Sequence, residues 1–309
     1  MSAWFDQQGR LRVGWRFLLG LLLAFLANVA ALDIAGAIAG GRPRLLDAIY
    51  RPLTMLLLLA GFSLLLRLAD RLRGNPLAAM GLGRRHWLRQ FALGLVIGAG
   101  MVCSAVAGIA MGGQLSFMVS LNRRAAELAL LELAVLVAGA LMEELMFRGY
   151  PFQRLVDGVG SWGAVVIVSV LFGAVHLGNP HASVWGLVNT ILVGVLLSVA
   201  YLRSRSLWLP WGIHFAWNAA LGMGFGLPVS GLTQFAVVVQ GTARGPRWLT
   251  GGAYGIEASA LGTLVILLGF IPLLLATGHS LAGSEPGIAV QVANPQPSPG
   301  EEPFRRIQP

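Results

Sequence analysis

The chain contains no lysine; all 22 of its basic residues are arginine. Charge of either sign is scarce, at 11% of residues, against roughly 25% in a soluble globular domain. With 56% apolar residues and a mean hydropathy of +0.73, that scarcity excludes an ordinary soluble domain. It predicts a polytopic membrane protein, with the lipid bilayer as its surroundings. The formal charge of +9 resides in arginines scattered among many loops. A nucleic-acid-binding face would gather them on one domain, so nucleic acid is not an expected partner. The missing lysine itself reads as compositional bias. Cysteine is nearly absent too: Cys103 stands alone, which excludes an internal disulfide and any Cys-x-x-Cys metal motif. It lies in an apolar run and is expected to be a small buried core residue.

What the chain does have is a succession of apolar runs. They predict an all-α fold, a membrane bundle of about eight transmembrane helices with a disordered Pro-rich C-terminal tail. The expected spans are 17–40, 49–68, 91–111, one starting near Ala125 and running to about Arg154, 162–177, 182–202, 207–225 and 256–277. The first run is too long for the apolar core of a signal peptide and reads as an uncleaved helix interrupted by Asp33. The third is rich in Gly and Ala, which suits close helix packing. Residues 113–124 and 226–255 read as loops, the second with an apolar piece at 235–239 that dips into the interface. Four regions follow: 1–124 with helices 1–3 and a basic loop, 125–225 as a core with helices 4–7, 226–277 with the last helix, and 278–309 as the tail. Pro272 is expected to kink the last helix. The tail holds Pro286, Pro295, Pro297 and Pro299 among mixed charges. Eight spans place both termini on one side, with fifteen arginines there against seven opposite. The positive-inside rule then puts both termini in the cytoplasm, in a bacterial inner membrane.

Ionisable groups at membrane depth are expensive, so their pattern is informative. Glu143-Glu144-Leu-Met-Phe-Arg148 ends one apolar run. Phe172-Gly-Ala-Val-His176 and His214-Phe-Ala-Trp-Asn218 lie on two others. Glu144 and Arg148 are four apart and share a helix face, so they are expected to pair, while Glu143 turns about 100° away and faces a cavity. Counting from the cytoplasmic ends, Glu143, His176, His214 and Asn218 fall roughly 12–22 Å deep, close enough for one site. These residue types suit amide hydrolysis. A buried carboxylate serves as base, a histidine orients the water, and a second histidine and an asparagine hold an oxyanion. The same Glu143, His176 and His214 are also a set that zinc or another divalent metal binds in some hydrolases. The cofactor is therefore either none or such a metal. Glu127 and Glu132 read as structural, Glu127 through pairing with Arg123. His181 and His279 lie outside the pattern.

At these three motifs the chain resembles the CPBP family of CAAX proteases and bacteriocin-processing enzymes, also called Abi. The resemblance spans about residues 125–225. It implies an intramembrane endopeptidase, glutamate-dependent or metal-dependent, acting on a membrane-associated peptide or protein. It implies Glu143 as the carboxylate that activates water, aided by His176. His214 and Asn218 would hold the oxyanion, with Glu144, Arg148 and Phe172 in support. The stretch Thr250-Gly-Gly-Ala-Tyr254-Gly-Ile-Glu257 also resembles one that follows the core in bacterial members, without an attached role. Two other classes fit the same residues. One is a non-catalytic scaffold or bacteriocin self-immunity protein. The other is a proton-coupled transporter, for which the expected internal repeat is not evident.

Overall fold

The computed structural model describes residues 4–5 and 11–275. Eight helices of twelve or more residues build the bundle among them: α1 Val13–Ala39, α2 Pro43–Leu68, α3 Trp87–Met111, α4 Arg123–Arg148, α5 Tyr150–Val175, α6 Val184–Ser204, α7 Trp208–Ala219 and, after a one-turn α8 at Arg247–Thr250, α9 Ala260–Leu275. α1, α2, α3, α6 and the segment 123–178, which holds α4 and α5, are long and apolar enough to cross a membrane, so the chain is a multi-pass membrane protein. The eight helices agree with the sequence reading. The expected tail at 278–309, His279 included, lies outside the described residues.

Local signals account for the helix starts. Pro43 opens α2 at its first turn, where a missing N–H costs least. Asn122 caps α4 by accepting from the Ala125 N–H, and Ser183 caps α6 by accepting from Gly186. α1 buries a face of Gly20, Ala24, Ala27, Ala31 and Ala35 and turns Leu22, Phe25 and Leu26 outward. A membrane helix is built this way, with small residues toward its neighbours and large apolar ones toward lipid.

Two apolar cores result. One gathers side chains of α3, α6, α7 and α9, including Met101, Leu196, Ile213 and Ile266. The other gathers α1, α2 and α5, including Ala24, Phe62, Phe152 and Val168. α4 contributes to both, Val135 and Leu136 to the first and Leu141, Met142 and Leu145 to the second. It is the seam of the molecule, and Glu143 and Glu144 lie on that seam. The Gly-rich third helix packs as expected: a Cβ on Gly94 would stand 2.5 Å from the Leu209 carbonyl oxygen, so α3 and α7 touch backbone to backbone.

Several boundaries differ from the sequence reading. The fourth helix ends at Arg148 rather than near Arg154. Gly149 stands so close to the Leu145 carbonyl that no Cβ fits, and Pro151 starts a new helix two residues on. α5 therefore begins at Tyr150, well before the expected 162, and bends at Gly160, whose φ of 79° favours glycine. The stretch 113–124 is not simply a loop. Leu115–Val119 (β1) pairs antiparallel with Val239–Ala243 (β2). Phe235, expected at the interface, is buried in the first core. The last helix starts at Ala260 rather than 256, after Ser259 accepts from the Gly262 N–H. Cys103 is exposed rather than buried, because the helical period points it away from Val102 and Val106, which face the core.

Candidate active site

Three helices deliver the polar residues to one place. Glu143 projects from α4, His176 follows the last residue of α5, and His214 and Asn218 stand one turn apart on α7. The Glu143 Oε2 lies 3.6 Å from the His214 Nε2 and 3.9 Å from the His176 Nε2. These gaps are too long for direct hydrogen bonds, and Oε2 is a buried oxygen with no hydrogen-bond partner. Orphaned buried acceptors are rare in proteins and mark sites of function or strain. Asn218 lines the same pocket, about 130 Å³ in volume, together with Glu143, His176 and His214.

The orientation of each ring is fixed from behind. The His176 Nδ1 lies 2.7 Å from the Phe172 carbonyl, and the His214 Nδ1 lies 2.9 Å from the Glu144 Oε1. A carbonyl or carboxylate only accepts, so each Nδ1 carries its proton and each Nε2 is turned toward Glu143. Glu144 is in turn held by Arg148 at 3.2 Å, and both side chains are fully buried. Arg148 also donates to the Gly194 carbonyl at 2.9 Å and to the Ser198 hydroxyl at 3.4 Å, tying α4 to α6. The Phe172 ring packs under this arrangement, 4.6 Å from the Arg148 guanidinium and 4.7 Å from the His176 ring. Glu144 and Arg148 thus form the layer beneath the pocket-lining residues, of which Phe172 is one.

Glu127 and Glu132, the other two acidic residues of α4 outside the motif, are engaged elsewhere. Glu127 pairs with Arg123 at 2.8 Å on the surface, and buried Glu132 lies 3.3 Å from Arg44. His181 sits in the turn after α5 and does not line the pocket. Among the described residues, no group of three or more His, Cys, Asp or Glu is arranged to hold a metal ion, Glu143, His176 and His214 included.

The sequence reading gave no role to Glu257, which the fold brings to the pocket wall. Its carboxylate accepts from the Trp217 Nε1 at 2.9 Å, from the Ser230 hydroxyl at 2.9 Å and from the Ser230 N–H. Asn189 on α6 donates to the Glu257 and Ser259 carbonyls, both at 2.9 Å. This connecting segment between α7 and α9 is thereby latched over the end of α7. Burial pushes the Glu257 carboxyl above its usual range, and the bonds from Ser230 and Trp217 oppose that rise. The glycines around it are steric necessities: a Cβ on Gly255 (φ 101°) would run into the Pro228 carbonyl. Their clustering before a carboxylate was the one signal in the sequence. Glu257→Ala is expected to cost about 1–3 kcal/mol, because buried donors lose their acceptor. Thermal melting of the purified protein should show that loss, with a smaller one for Glu257→Gln. Equal melting of all three proteins would remove the latch.

With the geometry in place, comparison with known proteins is informative. Residues 125–220 match the family model described as type II CAAX prenyl endopeptidase Rce1-like. A curated relative from Bacillus subtilis (strain 168), named "Putative membrane peptidase YdiL", is 29% identical over 82 residues. That match covers 26% of this chain and 32% of the relative, about a third of its length. No solved structure gives a significant match. The matched region holds α4 to α7 and all three motifs in order. Residues 125–220 are thus similar to the Rce1-like CAAX endopeptidases, and the helices that carry this likeness are set within a multi-pass membrane bundle.

Proposed function

We propose that the chain is an intramembrane endopeptidase that hydrolyses a peptide bond of a membrane-associated peptide or protein. One observation carries this reading: the buried, unbonded Oε2 of Glu143 faces the Nε2 atoms of two histidines across gaps of 3.6 and 3.9 Å. Polar groups separated by slightly more than a hydrogen bond are spaced to share one water. Glu143 takes a proton from that water as its oxygen attacks the scissile carbonyl carbon, and His176 holds the water through Nε2. The carbonyl oxygen becomes an oxyanion facing α7. There the Asn218 side-chain amide donates to it. The imidazolium form of His214 donates from both nitrogens, Nδ1 to Glu144 and Nε2 to the oxyanion. When the tetrahedral intermediate collapses, the C–N bond breaks and Glu143 passes its proton to the leaving amine. Glu144 and Arg148 touch no reacting atom; they hold His214 in its orientation.

The arginine distribution supports a bacterial cytoplasmic membrane with both termini inside. Quantitative profiling of peptide C-termini in host membranes, wild type against Glu143→Gln, tests the activity and names substrates. Equal profiles would favour a scaffold or immunity role. Cleavage by purified protein is expected to survive rigorous chelation; loss of cleavage restored by zinc would make Glu143, His176 and His214 metal ligands instead. Asn218→Ala is expected to lower turnover by about 10²–10³, as loss of one oxyanion donor does. Turnover within a factor of two of wild type would take Asn218 out of that role.

A further inference from the structure

The pocket contains a cation that the hydrolytic scheme does not use. Arg51 on α2 lines it, although α2 lies outside the region shared with the family. Among the described residues it makes no hydrogen bond or ion pair, and its Nε is buried without a partner. Every other charged side chain on the pocket wall is acidic or histidine: Glu143, Glu257, His176 and His214. Arg51 is half-buried, but its Nε is shut off from solvent without an acceptor, which is costly, and its planar fork is suited to a carboxylate. The guanidinium also has a prepared seat. It lies over Gly139 of α4, where an added Cβ would stand 2.6 Å from Nη1 and 3.0 Å from Cδ. Gly139 is one turn before Glu143, so the guanidinium is offset from the base by roughly 6 Å along the helix.

Taking the endopeptidase reading as its basis, we propose that Arg51 is a specificity-determining residue that holds a carboxylate of the substrate. An extended chain advances about 3.3–3.6 Å per residue, so the carboxylate belongs about two residues from the scissile bond. The chemistry has two sources: the substrate's own C-terminal carboxylate, or an Asp or Glu side chain at that position. Arg51 is also in electrostatic contact with Glu143 and Glu132, both on α4. A role confined to balancing Glu143 would act on every substrate alike. Carboxylate recognition acts on one substrate form and spares the other.

The test uses the full chain reconstituted in vesicles and internally quenched peptide libraries with degenerate sequences. Each library is made in three forms: a C-terminal acid, a C-terminal amide, and an amide with Asp two residues beyond the reporter-flanked bond. Wild type is expected to prefer a carboxylate-bearing form over the plain amide by about 10–100-fold in kcat/KM, the worth of a hydrogen bond to a charged group. The difference should lie mainly in KM, because the carboxylate is remote from the reacting bond. Arg51→Gln should bring that preference close to one. Gly139→Ala, which keeps the charge but displaces the guanidinium, should reduce it as well. Preference for the acid alone assigns the terminal carboxylate; preference restored by Asp in the amide assigns the side chain. Equal cleavage of all three forms by wild type overturns the proposal, and so does an Arg51→Gln protein that keeps the preference. Absence of any Glu143-dependent cleavage overturns the endopeptidase reading itself, a different result from cleavage without preference.

Discussion

Glu143→Gln is expected to reduce peptide hydrolysis by about 10²–10⁴-fold, the usual contribution of a positioned general base. Gln has nearly the same shape and cannot take up the proton of water. The substitution should leave the fold intact, because the Glu143 Oε2 makes no hydrogen bond that the exchange would break. Its neighbours are held by others, His214 by Glu144 and His176 by the Phe172 carbonyl. The measurement pairs turnover of wild type and variant with their thermal melting in detergent. Lost turnover with an unchanged melt supports Glu143 as base. Turnover close to wild type would remove it from that role, and a lowered melt would make it a structural carboxylate.

Arg148→Ala should act in the opposite way, on stability first. The guanidinium is fully buried and spends its donors on Glu144, Ser198 and the Gly194 carbonyl. Removing it strands the Glu144 carboxylate at full burial with only the His214 ring beside it. Breaking a buried ion pair from one side costs about 3–5 kcal/mol. Against a total stability of about 5–15 kcal/mol, that loss should collapse the folded yield. Arg148→Lys should recover little, because an ammonium cannot reach three acceptors in different directions as a planar fork does. Size-exclusion yield and thermal melting read the effect. A normally folded Arg148→Ala protein with lost hydrolysis would instead place Arg148 against the substrate.

These two substitutions separate the layers of the site. Glu143 faces the pocket and carries no structural bond, whereas Glu144 and Arg148 lie beneath it and hold α4, α6 and α7 together. The adjacent carboxylates differ in role because one residue of helix turns them about 100° apart. One faces a cavity and the other faces the packed interior.

The sequence by itself determined the membrane bundle, the eight helices and the three motifs. Apolar runs and i, i+4 spacings are local properties, written within a few residues of each other. The Glu144–Arg148 pair is of that kind, as is the pairing of Glu127 with Arg123. Tertiary structure alone decided what depends on residues far apart. It set the break at Gly149, whose backbone lies too close to the Leu145 carbonyl for any side chain, against the apolar pattern that would have run the helix on. It paired β1 with β2 across more than a hundred residues, and it turned Cys103 outward. It also brought Glu257 and Arg51 to the pocket wall, one from after the motif-bearing helices and one from before them. Neither belongs to the three motifs, and Glu257 stood only at the end of a stretch without a role, because a charge acquires its partners only when segments distant in the chain pack together.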